Sequence, residues 1–102
     1  MGGGSFIRKR KLKKFLGFKM YEFVFGKRAL RDLNKLDVLI KKRIWNKLQG
    51  CKENPFAFLK PLVQIRGFKL RVGDYRVIVD VREEIRVLNV LRVGHRKNVY
   101  ER

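Results

Sequence analysis

Apolar and polar residues alternate along the C-terminal half of the chain. The alternation runs over Phe68–Val72 and residues 75–81, on either side of Gly73 and Asp74. A period of two predicts strands with one buried face, and a Gly-Asp pair between two such runs predicts a hairpin turn. A second polar turn at residues 82–84 leads into a last predicted strand over residues 85–93. Its core face is expected to carry Ile85, Val87, Leu91 and Val93.

The N-terminal half has a different period. Residues 21–25 form an aromatic and β-branched run closed by Gly26, which predicts a strand. Apolar residues then recur every three or four positions, which predicts two amphipathic helices. The first carries Ala29, Leu30, Leu33 and Leu36, and the second carries Ile40, Ile44, Leu48 and Cys51. Asp37 is the expected N-cap of the second helix, and Pro55 is expected to end it.

The predicted order is therefore β-α-α-β-β-β. Strands that follow a pair of helices favour an α+β domain, with the helix hairpin packed on one face of an antiparallel sheet. The other face is then partly free. Alternation places Lys69, Arg71 and Arg76 on that free face, and it turns Tyr75 toward the helices.

The net charge of the chain indicates that the predicted domain is a binding protein. Lys and Arg number 27 against 9 Asp and Glu in 102 residues, for a formal net charge of +18. One domain with such a charge is expected to bind a polyanion, with nucleic acid first and an anionic membrane second. A single cysteine and the absence of a secretory leader or a long apolar run predict a cytoplasmic protein.

Residues 1–19 differ from the rest. Seven basic and no acidic residues lie within residues 6–19, which leaves 20 basic and 9 acidic residues in the predicted domain, residues 20–102. One interpretation of this basic leader is a helix that contacts phosphates or a membrane surface. The others are a disordered tail, an artificial addition, or a start site placed too early.

The basic face also has candidate chemistry for cleaving RNA. Cleavage needs a base for the 2′-hydroxyl, charge stabilisation at phosphorus, and an acid for the departing 5′-oxygen. We expect Arg76 and Arg96 to stabilise the charge, and Lys69 and Arg71 to hold the RNA backbone. Two groups can transfer protons, and each has a structural alternative: His95 as a turn residue and Tyr100 as a packing group. One cysteine and one histidine give no support to a zinc site, and no cofactor is expected.

Three short motifs resemble RelE-type toxins of toxin–antitoxin modules. They are K-P-L at residues 60–62, G-D-Y-R-V-I-V at residues 73–79 and R-V-G-H-R-K-N-V-Y at residues 92–100. The resemblance covers about residues 20–102. It implies a metal-independent endoribonuclease that cleaves messenger RNA on the translating ribosome and is neutralised by a cognate RelB-type antitoxin. The family's catalytic or phosphate-holding positions fall on Lys69, Arg71, Arg76, Arg96 and Tyr100.

This sequence departs from some relatives in having His95 where they have lysine, and in a shorter spacing between Arg96 and Tyr100. Two other functions stay open. ParE-type gyrase inhibitors share the fold but act by binding a protein, and a non-catalytic nucleic-acid-binding module would explain the charge alone. The arginines Arg76 and Arg96 and the Val-Tyr ending favour cleavage.

Overall fold

Two helices cover one face of a five-stranded sheet in the computed structural model. The elements are β1 (Glu22–Phe25), α1 (Lys27–Asn34), α2 (Val38–Gln49), β2 (Lys60–Pro61), β3 (Phe68–Val72), β4 (Tyr75–Arg82) and β5 (Val87–His95). The structure describes residues 20–63 and 65–97. The predictions for residues 1–19 and for Tyr100 fall outside these described residues.

The strand order in the sheet is β1-β5-β4-β3-β2. Strands β2 to β5 pair antiparallel in chain order, whereas β1 pairs parallel with β5. The α+β class and the predicted order of elements are confirmed. The sheet is mixed rather than wholly antiparallel, because the chain leaves β1 through two helices and returns to it only with its last strand.

The core lies between the helices and the sheet. Ala29, Ile44 and Leu48 are buried from the helix side. The strands contribute Leu70, Val72, Val77, Val79, Leu88, Val90 and Val93. A second, smaller cluster joins Leu62 to Ile78 on the opposite face. Within residues 20–63 and 65–97, most of that opposite face therefore lacks an apolar cover, as the alternation predicted.

The second helix ends earlier than predicted. It stops at Gln49 with Gly50 at the C-cap, and Pro55 instead begins a short 3-10 turn, Pro55–Ala57. Cys51 consequently lies just after the helix, although it is buried in the core as expected. Burial raises the pKa of the Cys51 thiol and nearby Lys47 lowers it less, so the thiol stays protonated near neutral pH.

The last strand differs from the prediction in which residues it buries. Ile78 pairs with Arg92 and Val79 with Val90, so Leu91 is left without a partner in a β-bulge. A bulge adds one residue to one strand and shifts its alternation. The predicted core face is therefore wrong at three of its four residues. Ile85 lies in a 3-10 turn and Leu91 in the bulge, and both are exposed. Before the bulge the core face carries Leu88 and Val90 instead of Val87, so only Val93 is buried as predicted.

Asp32 of α1 hydrogen-bonds to the part of β5 that extends beyond the end of β1. Strand β1 pairs with β5 only as far as Val90. Beyond that point the Asp32 carboxylate accepts a hydrogen bond from the Val93 backbone N–H at 2.9 Å and another from Arg92 Nε at 3.1 Å. The side chain of Asp32 is only 14% exposed, so this interaction fixes α1 against the sheet.

We expect Asp32→Ala to lower the free energy of unfolding by about 2 kcal/mol, because it leaves the Val93 N–H without its acceptor. Urea denaturation with an unchanged m value would measure the loss. Asp37→Ala is the matched control, since Asp37 precedes α2 but its side chain makes no capping hydrogen bond. Equal stability of Asp32→Ala and Asp37→Ala would contradict the role assigned to Asp32.

Candidate nucleic-acid groove

Four cations occupy one face of the sheet in two directly opposed pairs. Lys60 of β2 is opposite Lys69 of β3, and Arg71 of β3 is opposite Arg76 of β4. Like charges directly across a strand pair weaken the pairing. Their side chains share the face away from the helices, because Leu70 and Val77 between them point into the core. This concentration of positive charge suits a polyanionic ligand.

Arg96 joins these cations through the backbone. Strand β5 ends at His95, and the next N–H, that of Arg96, donates to the Asp74 carbonyl at 2.8 Å. This bond fastens the end of β5 to the turn between β3 and β4. Gly94 lies opposite Arg76 and has no side chain to fill the space beside it. Arg96 therefore lies next to the cations of the β3–β4 hairpin.

These residues line a groove of about 420 Å³ at this end of the sheet, called the basic groove below. Its described lining is Lys47, Ala57, Phe58, Lys60, Lys69, Leu70, Arg71, Gly73, Tyr75, Arg76 and Arg96. Six of these side chains are cationic, and no acidic side chain lies among them. The volume is in the lower part of the range of roughly 300–1,000 Å³ found for small-ligand sites.

The structure brings four of the six sequence-predicted site residues together. Lys69, Arg71, Arg76 and Arg96 all line the basic groove, which leaves His95 outside its described lining and Tyr100 outside the described residues. The catalytic or binding roles of all six residues remain predictions.

His95 lies on the face that the helices cover. It pairs with Tyr75, and the two rings meet edge to face with centroids 5.5 Å apart. Its Nδ1 accepts a hydrogen bond from the Lys97 backbone N–H at 3.2 Å. His95 is connected to the basic groove through Tyr75, which is one of the lining residues.

Sequence reasoning does not single out Lys47, Phe58 or Lys60, although all three line the groove. The K-P-L motif at residues 60–62 was a signal for Lys60, but no local pattern indicates that Phe58 or Lys47 reaches the hairpin. Their positions follow from how α2 and the Pro55–Ala57 turn pack against the sheet.

The basic surface continues from the groove onto α2. Gly73, at the turn, has a positive φ of 60°, and a Cβ built on it would lie 3.0 Å from a guanidinium nitrogen of Arg43. Glycine thus serves both the turn and the close approach of Arg43. A neighbouring hollow of about 330 Å³ contains Arg43, Asn46 and Lys47 in its lining. Phosphates could therefore follow the surface from the groove to this helix.

No helix in the described part of the chain is long and apolar enough to span a membrane. The described site is a cationic groove at one end of a small helix-covered sheet. The chain is thus a small basic α+β protein with a groove whose charge suits a polyanion.

Comparisons with known proteins identify the family. The family model of the ParE toxin of type II toxin–antitoxin systems matches residues 23–100. A curated Escherichia coli protein described as RelE-like is 31% identical over 83 residues, which cover 76% of this chain and 84% of that protein. The chain belongs to the RelE/ParE family of type II toxin–antitoxin toxins.

Solved structures agree with this assignment. The Mycobacterium tuberculosis RelBE2 toxin–antitoxin complex contains a chain that is 30% identical, with a TM-score of 0.70 over 76% of this chain and 99% of that one. A chain of the intact Escherichia coli RelBE complex is also 30% identical, with a TM-score of 0.61 over 74% of this chain and 95% of that one. The two helices on a five-stranded sheet are thus the RelE architecture.

Proposed function

We propose that this toxin is an endoribonuclease that cleaves messenger RNA on the ribosome. The observation that carries the proposal is the convergence of Lys69, Arg71, Arg76 and Arg96 in one groove with no acidic side chain in its described lining. A surface that only binds a protein does not require cations in opposed pairs. A phosphodiester, by contrast, presents charge that they can bind before and during reaction.

In the proposed reaction, the 2′-oxygen of one nucleotide attacks its own 3′-phosphorus and the bond to the next 5′-oxygen breaks. The 2′-hydroxyl proton goes to a base, an acid returns a proton to the 5′-oxygen, and a 2′,3′-cyclic phosphate remains. Arg76 and Arg96 stabilise the charge that builds on the non-bridging oxygens. Lys69 and Arg71 hold the flanking backbone. Tyr100 is the first candidate for the proton transfers, and His95, which lies on the helix-covered face, is the second. Each step uses protein side chains, without a metal or cofactor.

A ribosome-programmed cleavage assay tests this function. Purified protein is incubated with a capped, end-labelled messenger RNA, with and without ribosomes. The cleavage sites are then mapped by primer extension. Cleavage that depends on ribosomes and leaves cyclic phosphate ends is the expected result. An intact message on translating ribosomes would remove the nuclease proposal.

Inhibition of DNA gyrase is the second candidate, because the matching family model is the one for ParE toxins. Such a toxin would inhibit through protein contacts and would need no phosphodiester site. A gyrase supercoiling assay with the same preparation distinguishes the two functions. Inhibition of supercoiling together with an intact message would favour the ParE-type function.

We further propose that an acidic, RelB-type antitoxin binds and neutralises this chain. The related Mycobacterium tuberculosis and Escherichia coli structures are toxin–antitoxin complexes. This chain carries a net charge of +18 and exposes apolar side chains such as Leu39 and Trp45 on α2. An amphipathic acidic segment could satisfy both features.

Co-expression with the small open reading frame next to its gene is expected to relieve toxicity and to co-purify a complex. The complex should weaken as salt rises but persist partly, because apolar contacts are not screened. Dissociation constants measured at low and high salt would check this expectation. Toxicity that persists, with no co-purification, would contradict the antitoxin proposal.

A further inference from the structure

Phe58 presents an exposed aromatic ring at the wall of the basic groove. Phe58 is among the residues that line the groove, and it is 50% exposed. The backbone around it is well anchored, because the N–H groups of Phe58 and Leu59 both donate to the Pro55 carbonyl, at 3.0 and 2.9 Å. Pro55 and Leu59 are themselves buried on either side. The ring is thus held in a defined place while facing solvent.

Packing within the fold does not account for this ring. Phe56, two residues earlier, packs edge-on against Phe68 with centroids 5.4 Å apart. Tyr75, the other aromatic residue in the described lining, packs on the core and against His95. Within residues 20–63 and 65–97, by contrast, Phe58 has no contact with another aromatic ring. Its ring is therefore available to a ligand in the groove.

We propose that Phe58 is a stacking platform for one unpaired RNA base, with the flanking phosphates on Lys60 and Lys69. The proposal rests on the RNA substrate of the proposed function and adds the subsite that holds a base. An aromatic ring beside a line of cations is the arrangement that binds single-stranded nucleic acid. Lys60 follows Phe58 by two residues, and Lys69 lies opposite Lys60.

The chemistry of stacking makes the subsite selective in a limited way. Every base has a flat π-face, so stacking tolerates any sequence, but a purine covers more of the ring than a pyrimidine. We therefore expect adenine to bind more tightly than uracil at Phe58. A ribose-phosphate chain without bases should gain nothing from the ring.

Fluorescence anisotropy with labelled, fully 2′-O-methylated hexanucleotides tests the subsite, because such RNA lacks the 2′-hydroxyl needed for cleavage. Phe58→Leu is expected to weaken binding of the adenosine hexamer by roughly 5- to 100-fold, the usual worth of one aromatic–base stack. The loss should be smaller for the uridine hexamer and absent for an abasic hexamer of equal charge. Phe58→Tyr should restore the affinity.

Phe56→Leu is the matched control, since it removes an aromatic ring from the same turn outside the groove lining. It is expected to bind all three hexamers like the wild type. Equal affinities of Phe58→Leu and wild type for the adenosine hexamer would overturn the subsite, as would an equal loss for the abasic hexamer. If the wild type binds no free RNA, equal kcat/KM values in ribosome-programmed cleavage overturn it instead.

The outcomes separate this subsite from the proposed nuclease function. Binding of adenosine RNA that depends on the Phe58 ring, without any ribosome-dependent cleavage, would leave the subsite standing and remove the nuclease proposal. Normal cleavage by the wild type, with no effect of Phe58→Leu on RNA binding or cleavage, would support the nuclease proposal and overturn the subsite. Unchanged RNA binding with weakened antitoxin binding would assign the ring to the antitoxin and overturn the subsite.

Discussion

Arg76→Ala and Arg96→Ala are each expected to lower ribosome-dependent cleavage by about 100-fold or more, the usual effect of removing one charge-stabilising donor. Both guanidinium groups line the basic groove, where charge would build on the phosphate. The loss should appear mainly in kcat, because the charge that they stabilise is greater in the transition state than in the bound substrate. Single-turnover cleavage on programmed ribosomes measures it.

Arg82→Ala is the matched control for charge. Arg82 is on the same strand as Arg76 but at its far end, where it is exposed and lies 4.0 Å from both Asp80 and Glu84. The Arg82→Ala substitution removes one positive charge, as Arg76→Ala does, but at a residue outside the groove lining. Cleavage should therefore change only slightly. If Arg82→Ala lowered cleavage as much as Arg76→Ala, net charge rather than the groove would explain the activity.

Stability controls accompany both groove variants. Arg96 is exposed and Arg76 half-buried on the face away from the core, so each alanine variant should keep the far-UV circular dichroism of the wild type. Full cleavage by a folded double variant would refute the assignment of these arginines. A loss of ribosome binding that matches the loss of cleavage would instead move them to substrate binding.

Much of this fold could be predicted from periodicity alone. The alternation around Gly73 and Asp74 predicted the β3–β4 hairpin within a residue at its ends, because one buried face imposes a period of two. The bulge at Leu91 could not be predicted in this way. An extra residue shifts the alternation without changing composition, and it becomes visible only once Val90 and Arg92 are paired with β4.

The site was predictable to the extent that it lies on strands. Alternation and the hairpin place Lys69, Arg71 and Arg76 on one face, and the Arg96 backbone bond to Asp74 completes the group. His95 was harder to place. One position along β5 separates the groove face from the helix face, so its side depended on the register beyond the bulge, and the pairing with Tyr75 placed it with the helices.

Replacement of His95 and Tyr100 is expected to separate the two candidates for proton transfer. His95→Gln should keep cleavage within about tenfold of the wild type, because the imidazole contacts Tyr75 and the Lys97 N–H but does not line the groove. Glutamine can still accept the hydrogen bond from Lys97 through its amide oxygen. Tyr100→Phe is expected to lower cleavage by roughly 100-fold or more, because it removes the remaining proton-transfer group and keeps the ring for packing.

Cleavage rates of both variants across neutral to alkaline pH decide between the assignments. If Tyr100 is the base, His95→Gln should keep the pH dependence of the wild-type rate, whereas Tyr100→Phe should change it. A 100-fold loss in His95→Gln with normal cleavage by Tyr100→Phe would assign the proton transfer to the histidine, despite its position on the helix-covered face. Normal cleavage by both variants would mean that the cations act by electrostatics and positioning alone.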